Sequence, residues 1–182
     1  WALIFFTLTP VTRGIAMSNR PVSRRQLLLA AISGYALTAL PARVLAQETT
    51  ATSLDVYKDP TCGCCANWID QMTERNFDST IYNPADLNAI KLEHGFRPEL
   101  QSCHTAITEE GFAFEGHVPP KLVRQFLDNP PADAKGLAVP GMPMGSPGME
   151  MGGRFQAYDV VQLNRDGSTR VYASIRSAAE QY

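Results

Sequence analysis

The chain has 182 residues, with 16 basic against 18 acidic side chains and a formal net charge of −2. Residues 1–46 hold five arginines and no acids, so from Gln47 onward 11 basic residues face 18 acids, a net charge of −7. An acidic remainder without a basic cluster excludes a protein that tracks phosphate backbones, and no nucleic-acid partner is expected.

The N-terminal region reads as a targeting segment. Met17–Ala46 runs from a basic start through an apolar stretch, Leu27 to Leu40, and ends in Val44-Leu45-Ala46, a pattern that predicts signal cleavage after Ala46. The stretch of about 14 apolar residues is shorter than the roughly 20 that a bilayer crossing needs, so no membrane span is expected after cleavage. "SRRQLLL", Ser23 to Leu29, resembles the twin-arginine export signal. Trp1–Ala16 precede the first methionine and read as an upstream extension, which leaves residues 47–182 as a single domain.

Within that domain "SLDVY" (Ser53 to Tyr57) alternates and predicts a first strand, ended by Asp59-Pro60. A helix is expected from about Cys65 to Asn76, with Trp68, Ile69 and Met72 on one face. "STIYN" predicts a second strand and Pro84–Gly95 a second helix, with proline at its start and glycine just past its end. His94, in its last turn, is read as a structural cation matching the helix dipole. Two short β runs around Glu109-Glu110-Gly111 predict a hairpin, and Pro119–Asn129 a third helix. Asn129–Gly153 is dense in glycine and proline and is expected to be an irregular loop, of which Val139–Gly153 lies over the cysteine turn as a mobile cover. Strands flanking Arg165-Asp166-Gly167 predict a closing hairpin. The order β-α-β-α followed by strands and a helix predicts an α/β sandwich around a mixed sheet. A strand that runs into a cysteine-bearing turn and a helix is the thioredoxin-like arrangement. The hairpin and helix from Cys103 to Asn129 are then expected as an insertion or an edge.

The chemistry is concentrated in "YKDPTCGCCANW", Tyr57 to Trp68, which places Cys62, Cys64 and Cys65 at a helix start. Unpaired amides and the helix dipole there favour thiolate over thiol. Two thiolates about 4 Å apart repel by roughly 4 kcal/mol at an effective dielectric of 20, a conflict that a bound cation removes. Three readings stay open on this turn. Cys62 and Cys65 form a C-x-x-C pair as in thiol oxidoreductases, which leaves Cys64 unused. A structural disulfide would close almost no loop. A metal site would use all three sulfurs, with Cys103, His104 and His117 downstream and Met142, Met144, Met149 and Met151 in the loop as further donors. Thiolate, thioether and imidazole are soft ligands that select Cu(I), with zinc as competitor. A closed zinc site wants four ligands, and the surplus here points to copper and to more than one ion.

"VYKDPTCGCCANW", "SCHTA", "EGHVP" and "GLAVPGMPMGSPGME" resemble, in that order, the motifs of the CopG-like copper-resistance metal-binding family, which is unrelated to the DNA-binding repressors of the same name. The resemblance runs from Leu54 to about Tyr172. It implies a periplasmic protein of copper homeostasis with a thioredoxin-like fold, with copper ions and other periplasmic copper-resistance proteins as its partners. Carried over by position, it implies a metal site of Cys62, Cys64, Cys65, Cys103, His104 and His117, with Met142 and Met149 from the loop. The expected function is to hold Cu(I), pass it on or cycle it between Cu(I) and Cu(II). The alternatives are a periplasmic thiol–disulfide oxidoreductase using Cys62 and Cys65, and a zinc-stabilised domain.

Overall fold

The computed structural model describes residues 51–182. The targeting segment, the twin-arginine pair and the upstream extension lie outside them. No helix among the described residues is long and apolar enough to cross a membrane.

Seven strands form one mixed sheet: β1 (Thr52–Lys58), β2 (Phe77–Tyr82), β3 (His104–Ile107), β4 (Ala113–Glu115), β5 (Ala134–Ala138), β6 (Tyr158–Asn164) and β7 (Thr169–Ile175), in the order β2-β1-β3-β4-β5-β6-β7. β1 runs parallel to β2 and antiparallel to β3, and β4 runs parallel to β5. The other neighbouring pairs, β3 with β4, β5 with β6 and β6 with β7, are antiparallel. Helix α1 (Gly63–Thr73) follows β1, α2 (Leu87–Glu93) follows β2, and α3 (Pro120–Asp128) follows β4.

Alternation along the strands sorts side chains onto two faces. Leu54, Val56, Ala106, Phe114, Leu137 and Val160 form one core with Trp68, Ile69 and Met72 of α1 and Leu122, Val123 and Phe126 of α3. Ala113, Ala138 and Leu163 face the other way, against Phe96 and Leu100. α2 covers part of this second face, where its Lys91 is buried against Thr105 and Glu115. The result is an α/β sandwich with a mixed sheet, as the element order implied.

Several expectations are corrected. The hairpin from Cys103 onward is no insertion or edge: β3 and β4 are third and fourth in the sheet, and all of β4 is buried. The stretch 129–153 contains β5, which is held by β4 on one side and β6 on the other. α2 begins at Leu87 rather than Pro84, because the Asp86 carboxylate accepts from the Ala89 amide and caps the helix there. Its end is where glycine predicted it, in a Schellman motif closed by Phe96 N to Lys91 O and Gly95 N to Leu92 O. The surroundings of His94 disfavour the cation expected at this helix end. Burial lowers its pKa and Lys135 adds to the effect, outweighing the opposite pull of Glu93.

Candidate metal centre

The cysteine turn is shaped by contacts within residues 59–62. Asp59 Oδ1 accepts from Thr61 N at 2.7 Å and from Thr61 Oγ1, and Asp59 O accepts from Cys62 N at 3.1 Å. This Asx-type turn reverses the chain out of β1 and delivers Cys62 to the N-cap position of α1. Cys64 and Cys65 then occupy the first helical turn, Cys65 buried and Cys64 partly exposed.

Across the sheet, β3 begins at His104, so Cys103 sits at the strand mouth beside the cysteine turn. His117 follows β4, just before α3. Two groups of ligand atoms result, each with all members within 4.8 Å of one another: Cys62, Cys64, Cys65 and Cys103; and Cys103, His104 and His117. Cys103 belongs to both. In this structure Cys62 and Cys65 are joined as a disulfide, while Cys64 and Cys103 are free. The Cys64 sulfur lies 3.6 Å from that of Cys62.

The histidines are aimed by neighbours that sequence reading missed. His117 Nδ1 is 2.8 Å from the Pro147 carbonyl oxygen. That oxygen can only accept, so Nδ1 carries the proton and Nε2 presents its lone pair to the Cys103 sulfur, 3.0 Å away. The His104 ring lies between Trp68, at 4.4 Å between centroids, and His117, edge-on at 5.1 Å. Trp68 is itself fixed by donating Nε1–H to Val118 O at 2.9 Å. His104 Nδ1 is 3.4 Å from Cys103 Sγ, and its Nε2 is a buried nitrogen without a hydrogen-bond partner.

The electrostatics favour neutral groups. Burial, then Cys64, pushes the Cys103 thiol up to about 12. Burial drives His104 well below the usual imidazole range, with His117, Lys91 and Lys58 adding to it, and burial lowers His117 as well. Both imidazoles are thus unprotonated donors at neutral pH. Two free thiols, a disulfide that reduction would open to two more, and two neutral imidazoles, His104 with an unpartnered buried nitrogen, fit a soft cation, whose charge would replace the thiol protons of the reduced site.

The loop 139–153 covers this centre, and it is anchored rather than free. Gly141 N donates to Gln101 O at 2.9 Å, Ser102 Oγ donates to Gly141 O, and Asn67 Nδ2 approaches Gly148 O at 3.4 Å. The Glu150 carboxylate accepts from Gln71 Nε2 at 2.8 Å and from the Tyr182 hydroxyl, while Gln181 Nε2 holds Gly145 O at 2.7 Å. The six cysteine and histidine candidates therefore converge. Of the two methionines, Met142 is 57% exposed and Met149 half-buried, one residue beyond the point where Gly148 meets α1.

A family model described as "Protein of unknown function, DUF411" matches residues 100–149, which span Cys103, His104, His117 and the methionine loop. Two solved structures, named copper resistance protein CopG form 1 and form 2, are each 42% identical to the chain. Each similarity covers 69% of this chain and 98% of the other, with TM-scores of 0.64 and 0.65. No curated protein sequence matches. At that identity over that length, with the cysteine and histidine cluster in place, the chain belongs to the CopG-like copper-resistance family.

Proposed function

We propose that this protein is a periplasmic copper-binding protein of copper resistance, holding Cu(I) through Cys62, Cys64, Cys65, Cys103, His104 and His117. The observation that carries the reading is the meeting of two ligand groups at Cys103. A thiolate shared between two sets of donors can bridge ions, so more than one Cu(I) per chain is expected. Cycling between Cu(I) and Cu(II) is consistent with a mixed sulfur and nitrogen donor set. Met142 and Met149 would offer neutral thioethers on the covering loop, suited to entry and release of Cu(I) without adding negative charge. The order β1-α1-β2-α2-β3-β4-α3, with a cysteine pair at the start of α1, supports a thioredoxin-like core to which β5, β6 and β7 are added. Export by the twin-arginine route, which carries folded proteins, would let the thiols assemble before they meet periplasmic oxidants.

Equilibrium dialysis of the reduced protein against Cu(I) and Zn(II), followed by elemental analysis, tests this. More than one Cu(I) per chain, retained in preference to zinc, is the expected result. Zinc retained over copper, or no copper, refutes it.

A second reading rests on the Cys62–Cys65 disulfide at the first turn of α1. A thiol–disulfide oxidoreductase would use this pair and no other sulfur. Replacing Cys64 by serine separates the two: an oxidoreductase keeps its disulfide exchange with a dithiol substrate, whereas the copper site loses stoichiometry.

A further inference from the structure

The second face of the sheet carries a buried charged group that neither reading uses. Lys91 and Glu115 are 5% and 0% exposed and form an ion pair at 2.6 Å. Such a pair in a protein interior is often no more stable than an apolar replacement of similar volume, so stability alone is a weak reason for it.

Its other contacts are more specific. Glu115 Oε1 accepts from the Ser102 amide at 2.6 Å as well as from Lys91 Nζ, and Glu115 Oε2 accepts from Thr105 Oγ1 at 2.6 Å. Thr105 Oγ1 in turn accepts from Lys91 Nζ at 3.2 Å, which directs its own hydrogen to the carboxylate. One side chain thus grips the residue before Cys103 and the residue after His104. Backbone pairing alone does not secure Ser102, which lies outside β3. Next to the carboxylate, Gly116 leaves room for this segment: a Cβ there would fall 2.4 Å from Ser102 Cβ and 2.7 Å from Val139 O. Ser102 is therefore held from one side by Glu115 and from the other by the start of the covering loop.

We infer that Glu115 is a positioning residue for the metal centre, clamping Ser102–Thr105 so that Cys103 and His104 are preset as ligands, with Lys91 as its counter-ion. This inference rests on the copper reading for its functional meaning. The clamp itself can be tested without metal.

Two double variants separate geometry from charge. Lys91→Met with Glu115→Leu removes both charges and the clamp. Lys91→Met with Glu115→Gln removes both charges but keeps an oxygen for the Ser102 amide and an amide hydrogen for Thr105 Oγ1. Loss of an outer-shell partner typically lowers metal affinity about 10–100-fold, and that loss is expected in the leucine pair, with recovery in the glutamine pair. The numbers of sulfur and of nitrogen neighbours around copper, read by X-ray absorption, should both fall only in the leucine pair. In the reduced apoprotein, the alkylation rate of Cys103 by iodoacetamide, followed by mass spectrometry, should rise in the leucine pair and not in the glutamine pair.

If the leucine pair does not fold, Thr105→Val removes one hydroxyl and should show the same changes at smaller size, roughly threefold in affinity. Unchanged alkylation and copper spectra in the leucine pair, or in the valine variant where the pair is unfolded, overturn the inference. Equal loss in both double variants also overturns it, because charge rather than the clamp would then be responsible. Failure of the wild type to bind copper would refute the copper reading and leave the alkylation result to decide the clamp.

Discussion

Gly148 offers a sharp test of how the covering loop is coupled to the metal centre. Its φ is +86°, and a Cβ built there would lie 2.7 Å from Cys64 O, 2.8 Å from Trp68 N and 3.1 Å from Trp68 Cα. All three are backbone atoms of α1, so no side-chain rotation relieves the contact. Alanine would bear about 1–2 kcal/mol for the left-handed conformation. To escape the overlap the loop must also move off α1, and the neighbouring Pro147 carbonyl would then leave His117 Nδ1, a loss of about 1 kcal/mol. The sum, roughly 3 kcal/mol, corresponds to a fall of about 12 °C in melting temperature for a domain of this size. Gly152 is the control: its φ is also positive, at +61°, but a Cβ there has nothing within 4 Å. Gly152→Ala should bear only the conformational cost, the same value of about 1–2 kcal/mol, a fall of about 4–8 °C. Calorimetry of the apoproteins and the rate of Cu(I) release to a competing chelator are the measurements. Gly148→Ala should melt lower and release copper several-fold faster as His117 loses its tautomer-fixing partner, while Gly152→Ala should release it at the wild-type rate. Equal melting temperatures and release rates for the two variants would refute the coupling of loop, helix start and His117.

Burial keeps His104, His117 and His94 below their ordinary value of 6.5. Below that pH the unfolded chain therefore binds more protons than the folded one, and urea midpoints of the apoprotein should fall as pH is lowered from about 7 to 5. His104→Asn should flatten that slope, and an unchanged slope would show that His104 is not held neutral by burial. Trp68→Phe strands the Val118 carbonyl and opens space beside His104; a loss of about 2–3 kcal/mol in chemical denaturation is expected. Replacing Met142 and Met149 together by leucine should change the copper exchange rate with the melting temperature nearly intact. A fall in stability with exchange unchanged would make them packing residues. Arg24→Lys with Arg25→Lys should abolish export, and normal periplasmic protein in that variant would assign ordinary secretion instead.

Much of this protein is written in short-range pattern. β1, α1, β2, the two hairpins and α3 were legible because each is announced by local alternation, helical spacing or turn chemistry. Local features also flagged the site. Three cysteines at a helix start, a Cys-His pair and a further histidine two residues beyond the β4 edge all carry their chemistry in residue type and spacing.

What escaped the sequence depends on partners far along the chain. β5 reads as loop because it holds a glycine among prolines and glycines. Yet a Cβ on Gly136 would fall 1.7 Å from Ala113 O, so glycine is there to let two strands approach closely. The central place of the β3–β4 hairpin was set by burial against both helix layers, which no local window contains. Lys91 and Glu115 look like ordinary surface charges at their own positions. Only the tertiary structure removes both from water and turns the carboxylate onto Ser102 and Thr105. The choice of Cys103 as the shared vertex is likewise tertiary. Its spacing from the cysteine turn, 38 residues beyond Cys65, has no meaning until β3 pairs antiparallel with β1 and brings the strand mouth beside the start of α1. Local sequence sets which groups can react or ligate; long-range burial sets which of them meet, because desolvation and close packing depend on neighbours that the chain supplies only once it has folded.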